Sequence, residues 1–414
     1  MTAPSSPVAA PPTNTGTGAG IDPRLTLLLA VSSGLTVANL YYAQPLLETI
    51  GRSFGTTEGA TGLVITTSQL GYAAGLAFVV PIGDQVSRRR ITGWLLGLAA
   101  VSLVVASVAP SLWILAATLL LTGLGSVTAQ VLVPLAASLA DDRERGRVVG
   151  TVMTGLLMGI LLARTVSGIV ADLTNWRVMF AVAAGVTVIL AVVLHRRLPE
   201  TELAEPVPYR KLLRSVARLL VEHHDLRQSA LLGALTFAAF SVFWTTIAFH
   251  LADSPFDYSE ATIGLVGIAG AAGALFASAA GRLADRGWAR SARPVMTALL
   301  ALSFAILWFG QNSIIGILLG ILALDIGVQG TQVLNQSIIY ELAPEARSRI
   351  NSAYMTCYFI GASLGSAVGA MAYDAGGWGP TCALGAALAV VSAVASIPGS
   401  RGARPVSRSA NLPT

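Results

Sequence analysis

A narrow polar stripe interrupts one of the most apolar stretches of the chain, "LALDIGVQGTQVLNQSIIYEL". An α-helix turns by about 100° per residue, so four polar side chains lie within about 60° of Asp325 on a helical wheel: Gln329, Gln332, Gln336 and Tyr340. A carboxylate whose hydration changes can bind and release a proton, and amides on the same face can hydrogen-bond a ligand. The stripe therefore suits proton exchange beside a polar binding surface.

Asp325 and Arg164 are the ionisable residues that lie deep inside apolar stretches. Burial of such a charge costs at least about 2.5–3.5 kcal/mol on insertion scales, so both residues are predicted to be functional. Asp325 is the first candidate for a proton-binding acid, and its alternative role is structural, with a hydrogen bond from Gln329 or another helix. Arg164 is predicted either to pair with Asp325 or to hold an acidic ligand. His250 is a third candidate, because histidine titrates near neutral pH, although it also suits an interfacial polar position.

The candidate residues lie in apolar stretches, and the composition predicts that these stretches are membrane-spanning helices. Hydrophobic residues make up 54% of the chain and charged residues 11%, whereas a soluble domain has about 25% charged residues. A membrane-spanning helix needs about 20 mostly apolar residues. We predict an all-α integral membrane protein with twelve such helices, at roughly 25–46, 61–83, 91–109, 112–138, 147–171, 177–195, 228–251, 261–281, 294–310, 313–340, 350–372 and 379–397.

The placement of basic residues predicts the orientation of the helices. Of the 26 Lys and Arg residues, all except Arg52, Arg164 and Arg177 fall in the loops and tails on one side of the predicted bundle. Because Lys and Arg are retained in cytoplasmic loops, we expect a multi-pass protein of the plasma (inner) membrane with both termini in the cytoplasm. The pI of about 9.5 reflects these loops, so the charge does not predict nucleic-acid binding.

The chain resembles itself at an offset of about 202 positions, as in Arg145 with Arg347 and Trp176 with Trp378. Six helices in each half therefore predict a duplicated bundle, with a site between the halves. The expected divisions are a disordered tail (1–23), a first six-helix bundle (24–197), a cytoplasmic linker (198–227), a second bundle (228–398) and a C-terminal tail (399–414). The linker segment "YRKLLRSVARLL" predicts an amphipathic helix on the membrane surface, or alternatively a solvated connection.

The loop "PIGDQVSRRR" and its second-half counterpart "GRLADRGWAR" resemble the loop motif of the major facilitator superfamily. Within that superfamily, "NLYYAQPLL" and "RSRINSAYMTCYFIGASLGS" look like a bacterial exporter subgroup that is grouped with the drug:proton antiporters. The resemblance covers nearly the whole chain. It implies alternating access, with two bundles that rock about a central cavity lined mainly by the first, fourth, seventh and tenth helices.

Polar and aromatic residues at helical spacing supply candidates for that cavity. They are Asn39, Tyr42, Gln130, Phe240, Trp244, Gln329, Gln332, Gln336, Tyr354 and Tyr358. Aromatic faces with scattered amides suit an amphiphilic organic ligand, although the same residues also hold membrane helices together. The resemblance further implies that two clusters help to close the cytoplasmic gate: Asp84 with Arg88 and Arg89, and Asp285 with Arg286. Their alternative role is ordinary anchoring of the helices.

The leading hypothesis is proton-coupled efflux of small organic molecules, and the alternative is a symporter or facilitator for uptake of a metabolite. The expected partners are a small-molecule substrate, protons and membrane lipids, and a monomer suffices for the mechanism. A membrane enzyme and a signalling sensor lack support, because the sequence offers neither a His/Asp pair nor an output domain. Cys357 and Cys382 both fall in predicted spans, so no metal site or other cofactor is expected.

Overall fold

The structure, a computed structural model, describes residues 21–84, 86–141, 143–199, 208–342 and 346–397. Within these residues the chain is helical, and no β-strand occurs. The helices are α1 Pro23–Ala38, α2 Leu47–Phe54, α3 Glu58–Ala74, α4 Arg88–Ser107, α5 Leu112–Ser126, α6 Thr128–Leu139, α7 Arg145–Leu173, α8 Trp176–Arg197, α9 Tyr209–Glu222, α10 His224–Ala252, α11 Glu260–Val266, α12 Ala271–Asp285, α13 Ala289–Phe309, α14 Ile314–Tyr340, α15 Arg347–Gly376 and α16 Trp378–Ser396.

Short polar side chains begin several helices, because the first backbone N–H groups of a helix need an acceptor. The Asn175 side chain accepts from the N–H groups of Arg177 and Val178 at the start of α8. Thr57 and Ser111 do the same for α3 and α5. These caps place the helix starts within a few residues of the positions expected from hydropathy.

Ten helical segments in the described part of the chain are long and apolar enough to cross a membrane, and two shorter apolar helices begin at Pro23 and Glu260. The predicted first and eighth spans are therefore present but interrupted. After α1, the chain passes through turns and a 3₁₀ segment at Gln44–Leu46 before α2. Between α11 and α12 lies another 3₁₀ segment, Gly267–Gly270. Pro45 removes a backbone donor in the first case and glycines relax the helix in the second.

Helix pairings in one half recur in the other. In the first half α1 packs on α7, α4 on α8 and α3 on α5. In the second half α10 packs on α15, α13 on α16 and α12 on α14, in the same order along the chain. This recurrence agrees with the two six-helix pseudo-repeats expected from the sequence.

Glycines bring equivalent helices into close contact in both halves. A Cβ on Gly159 of α7 would lie 2.2 Å from the Gly34 carbonyl oxygen of α1. A Cβ on Gly361 of α15 would likewise lie 2.2 Å from the Ala234 oxygen of α10. Such contacts strengthen helix packing in a membrane, where helix association gains little from hydrophobic burial. Gly155 and Gly159 thus give α7 a small-residue face that packs against α1.

We define the basic end of the molecule as the end where Arg88, Arg145, Arg290 and Arg347 lie, and the other as the opposite end. Along one side, α3 of the first half packs on α15 of the second half over most of its length. Thr66 and Ser366 form a bond of 2.7 Å between these two helices, and Ser352 Oγ of α15 donates to the Leu76 carbonyl oxygen just after α3 (2.8 Å).

On the other side, α7 packs on α11 and on the Gly267–Gly270 segment, but α12 is not among its main neighbours. The close contact lies in the last third of α7, where a Cβ on Gly168 would be 2.2 Å from the Glu260 carbonyl oxygen. Thr49 also donates a hydrogen bond to the Glu260 carboxylate from the first half. The halves are thus in contact on this side at the opposite end.

The linker contains the expected amphipathic helix, α9. Leu212, Val216 and Leu219 are half-buried, whereas Arg210 and Arg214 are exposed. Tyr209 at its start donates a hydrogen bond of 2.8 Å to the Phe78 carbonyl oxygen, and α9 also packs on α15. The helix therefore bridges the two halves at the basic end.

Candidate functional site

The two membrane-buried charges lie at the contact between the halves. Arg164, on α7, is 5% exposed, and Asp325, on α14, is 4% exposed. A Cβ on Gly267 would lie 3.1 Å from the Arg164 Cβ, and a Cβ on Gly270 would lie 3.1 Å from the Asp325 Oδ2. Gly267 and Gly270 in the interrupted eighth span therefore lie close to the two charged side chains. Larger residues at these two positions would displace the side chains.

Arg164 is held by flat side chains and an amide. Its guanidinium carbon lies 3.9 Å from the centroid of the Trp244 ring and 5.1 Å from that of Tyr41. Its Nε donates a hydrogen bond of 2.7 Å to the Gln44 Oε1. These contacts join α7 of the first half to α10 of the second half, and cation–π contacts strengthen when they are shielded from water.

Asp325 and Arg164 do not form a direct ion pair. Among the residues that the structure describes, neither has an oppositely charged partner within 4.0 Å. The indole of Trp244 borders both groups, since it stacks on Arg164 and lies 3.5 Å from the Cβ position of Gly270, against which Asp325 packs. The expected alternative of a hydrogen bond from Gln329 to Asp325 does not occur either.

Three polar groups around this indole lack a hydrogen-bond partner among the described residues. They are Arg164 Nη2, Trp244 Nε1 and Asp325 Oδ2. A buried polar group without a partner is expensive. Two donors and one acceptor of this kind in one place indicate a site for a ligand or a proton. We name these three residues, with Gln44, the charged seam.

An aromatic stack leads from the charged seam along α10 and α15. Trp244 contacts Phe240 (6.1 Å between ring centroids), which stacks on Phe237 (5.1 Å). Phe237 in turn stacks on Tyr358 at 3.9 Å, and Tyr354 lies 5.9 Å from Tyr358. All five are buried, so four of the predicted cavity residues, Phe240, Trp244, Tyr354 and Tyr358, form one continuous surface with Phe237, whereas Tyr42 is not part of this stack.

The amides of α14 follow this stack on one face. Tyr358 donates to the Gln332 Oε1 (3.3 Å), and Gln336 donates to the Asn351 Oδ1 (3.4 Å). Gln329 is half-buried and has no side-chain hydrogen bond to a described residue. The predicted stripe therefore faces α15 and the aromatic stack, with Gln329 the least engaged of its amides.

The remaining cavity candidates come from the first half. Asn39 is buried and its Nδ2 lacks a partner. Gln130 donates 3.1 Å to the Tyr72 hydroxyl, and the Tyr72 ring lies 4.4 Å from Phe359 in the second half. The carbonyl of Tyr42 accepts a hydrogen bond from Ser167. Asn39 is thus available to a ligand, whereas Gln130 is joined to the contact between the halves.

His250 lies apart from the charged seam. Its Nε2 is 2.9 Å from the Gln311 carbonyl oxygen, and its ring stacks on Trp378 at 4.1 Å. These contacts tie α10 to α16 and to the loop before α14. They favour the alternative role of His250 as an interfacial polar residue at the end of the helix.

The gating candidates lie at the basic end. Arg88 donates to the Ser138 Oγ (3.3 Å) on α6. The side chain of Asp84 is outside the described part of the structure, so its expected pairing with Arg88 and Arg89 stays a prediction. Asp285 and Arg286 are exposed, and neither has an ion-pair partner within 4.0 Å among the described residues.

Sequence reasoning missed two interactions. At the basic end, Arg290 and Asp225 form an ion pair of 2.6 Å between α13 and α10. In the charged seam, Gln44 binds Arg164. Gln44 lies in "NLYYAQPLL", a stretch used above only as a family signature, and its amide beside Pro45 was the available signal.

The fold and the comparison with known proteins identify the family. The model of the Major Facilitator Superfamily matches residues 27–365 and 229–412. This chain belongs to the Major Facilitator Superfamily. It is 47% identical over 372 residues to YgaY of Escherichia coli O157:H7, an uncharacterized transporter, covering 90% of this chain and 94% of YgaY. It is 32% identical over 401 residues to the probable transporter SCO4007 of Streptomyces coelicolor, covering 94% and 93%.

Solved structures of transporters show the same fold. The nucleoside transporter NupG aligns with a TM-score of 0.75 at 15% identity, over 90% of this chain and 98% of NupG. The xylose transporter XylE of E. coli aligns with a TM-score of 0.69 at 14% identity, over 92% and 98%. The charged seam therefore lies between the two halves of a multi-pass membrane protein of the transporter fold.

Proposed function

We propose that this superfamily member is a proton-coupled transporter of small organic molecules that works by alternating access. The observation that carries the proposal is Asp325, a carboxylate that is 4% exposed and has neither a cation within 4.0 Å nor a hydrogen bond from a described residue. An isolated ionised carboxylate is very expensive in such a place, and protonation removes that cost.

The position of Asp325 links its protonation to conformation. It is covered by Gly270 and Trp244 while α7 and α11 are in contact. Separation of the halves would admit water and favour the ionised form. Because the proton then binds one state better than the other, its gradient can bias the equilibrium between them.

The aromatic stack supports an organic substrate. Phe237, Phe240, Trp244 and Tyr358 offer flat apolar surface, and Gln329 offers an amide beside it. Binding sites for small organic molecules combine such surfaces with a few polar groups. A bare inorganic ion would make little use of them.

Two directions of transport are compatible with this geometry. Efflux in exchange for protons is the direction implied by the resemblance to the exporter subgroup. Proton symport is the second candidate, and Arg164 favours it because a buried cation beside Asp325 suits a substrate that arrives with a proton. In both forms we propose a monomer in the bacterial inner membrane, with its termini in the cytoplasm.

Proteoliposomes with an imposed pH gradient test the proposal. We expect wild-type protein to couple proton flux to members of a panel of cationic, neutral and anionic organic compounds. Asp325→Asn should still exchange substrate but should not respond to the gradient. Asp172→Asn is the matched control, because Asp172 lies on α7 but is exposed. A gradient response of Asp325→Asn equal to that of Asp172→Asn would show that Asp325 is structural.

A further inference from the structure

The charged seam also carries information about the charge of the substrate. Arg164 is always protonated in a protein, and it is 95% buried by the exposure given above. Its Nε donates to the neutral amide of Gln44, and its Nη2 has no partner among the described residues. A buried cation is ordinarily matched by an anion, and here no described residue supplies one within 4.0 Å.

The donors of the charged seam suit an anionic group. Arg164 Nη2 and Trp244 Nε1 are both unpartnered donors on side chains that stack at 3.9 Å. A guanidinium has the planar geometry that carboxylates and phosphates accept, and an indole N–H can only donate. The aromatic stack begins at the same Trp244, so an anionic head on the seam would extend a flat apolar body along it.

We propose that the substrate is a small organic anion with a flat apolar body, held by Arg164 and Trp244, and that it crosses the membrane together with a proton carried by Asp325. This inference rests on the proposed proton-coupled function and selects symport from its two forms. In the closed conformation the cavity bordered by Gln44, Arg164 and Trp244 measures only about 10 Å³. The substrate therefore enters when the halves are apart.

The sign of the coupling follows from Coulomb's law. An anion on Arg164 cancels the field that favours ionised Asp325, so anion and proton bind cooperatively. A cationic substrate would compete with the proton and give exchange instead. The titratable groups facing the two charges from their neighbours are Tyr358 on α15 and Tyr41 after α1. Tyrosines are neutral between pH 6 and 8, so Asp325 carries the proton.

Ligand-induced thermal stabilisation of the purified full-length protein tests the charge preference. The probes are four carboxylates (benzoate, phenylacetate, cinnamate and 4-hydroxybenzoate), with their amides and the corresponding amines. We expect at least one acid to stabilise the protein while its amide and amine do not. Its half-saturating concentration should rise with pH by up to about tenfold per unit between pH 6 and 8, the limit for one linked proton. Loss of this preference, or no stabilisation by any acid, overturns the inference.

Two variants connect the effect to Arg164. Arg164→Gln should weaken binding of the stabilising acid about 100-fold, because it removes one partner of a buried charge pair. Arg164→Lys, which keeps the charge but not the planar fork, should retain part of the affinity. If Arg164→Gln does not fold, the comparison of acid, amide and amine on wild-type protein still tests whether the site prefers an anion. Equal affinities of wild type and Arg164→Gln would contradict the assignment.

Flux measurements separate failure of this inference from failure of the proposed function. In proteoliposomes the acid and the proton should move in the same direction. If protons instead move against a cation or a neutral compound, proton coupling holds and the anion inference is wrong. If no compound of either panel moves protons, the proposed function itself is wrong.

Discussion

The contact between α7 and α11 can be opened by a single methyl group. Gly168 of α7 is so close to α11 that a Cβ there would lie 2.2 Å from the Glu260 carbonyl oxygen and 3.2 Å from the Gly264 Cα. Contacts of a Cβ below 3.0 Å are essentially never observed. Gly168→Ala must therefore move the two helices apart by about 1 Å, since an oxygen atom of the backbone cannot rotate away as a side chain would.

The cost of this displacement sets the size of the effect. Insertion of one carbon into a well-packed contact costs about 1–3 kcal/mol. In the proposed alternating access, the contact exists only while the halves meet at the opposite end, so the cost falls on that conformation alone. The equilibrium should therefore shift by about 5- to 150-fold toward conformations in which α7 and α11 are apart.

A single reporter cysteine measures this shift. Ile263 of α11 is 6% exposed and borders the small cavity beside Arg164. In a background with Cys357→Ala and Cys382→Ala, Ile263→Cys should react slowly with a polar maleimide in detergent solution. Addition of Gly168→Ala should accelerate the reaction at least about fivefold, by the population shift above.

The matched control is Gly150→Ala on the same helix, where a Cβ would have no neighbour within 4 Å. Both substitutions improve helix propensity equally, so only the steric contact differs. If Gly168→Ala and Gly150→Ala melt at the same temperature and label at equal rates, the proposed contact is refuted. An acceleration in both would show that backbone flexibility, rather than the contact, controls exposure of Ile263.

Two further predictions concern packing inside one half and the linker helix. Gly71→Ala should lower the apparent melting temperature, because a Cβ there would lie 1.9 Å from a carbonyl oxygen of α5 and overpacking costs about 1–3 kcal/mol; Gly97→Ala, with no atom within 4 Å, should not. Tyr209→Phe removes the 2.8 Å bond to the Phe78 oxygen, worth about 0.5–1.5 kcal/mol, so limited trypsin cleavage within α9 should quicken up to about tenfold. Ser215→Ala, which removes a bond within α9 itself, should leave the attachment to Phe78 intact, and cleavage as fast as in Tyr209→Phe would contradict this reasoning.

The sequence predicts the spans well because hydropathy and caps both mark their limits. The predicted tenth span, 313–340, differs by one residue from α14, Ile314–Tyr340. Hydropathy says nothing about backbone geometry, so the 3₁₀ segments at Gln44–Leu46 and Gly267–Gly270 were not predicted. Those segments need Pro45 and the glycines to be interpreted as breaks, whereas a hydropathy average treats them as neutral.

The candidate site was likewise predicted only in part from the sequence. Burial of Asp325 and Arg164 follows from their positions in apolar stretches, and the structure shows both almost fully enclosed. Their mutual arrangement depends on how α7 and α14 rotate about their axes and on which side chain enters between them. Periodicity within one helix does not contain that information, so the sequence left direct pairing open and did not predict the contact of Gln44.

The position of Trp244 explains why the two charges can respond to ligands separately. In a direct buried ion pair each charge would satisfy the other, and removal of one partner costs about 3–5 kcal/mol, so any ligand would first have to break the pair. With the indole stacked on Arg164 and bordering the place of Asp325, the two groups interact through their fields but share no hydrogen bond. In the function proposed here, Arg164 then takes an anionic partner while Asp325 gains or loses a proton. A change at either group alters the cost of charging the other, which is the requirement for coupled transport.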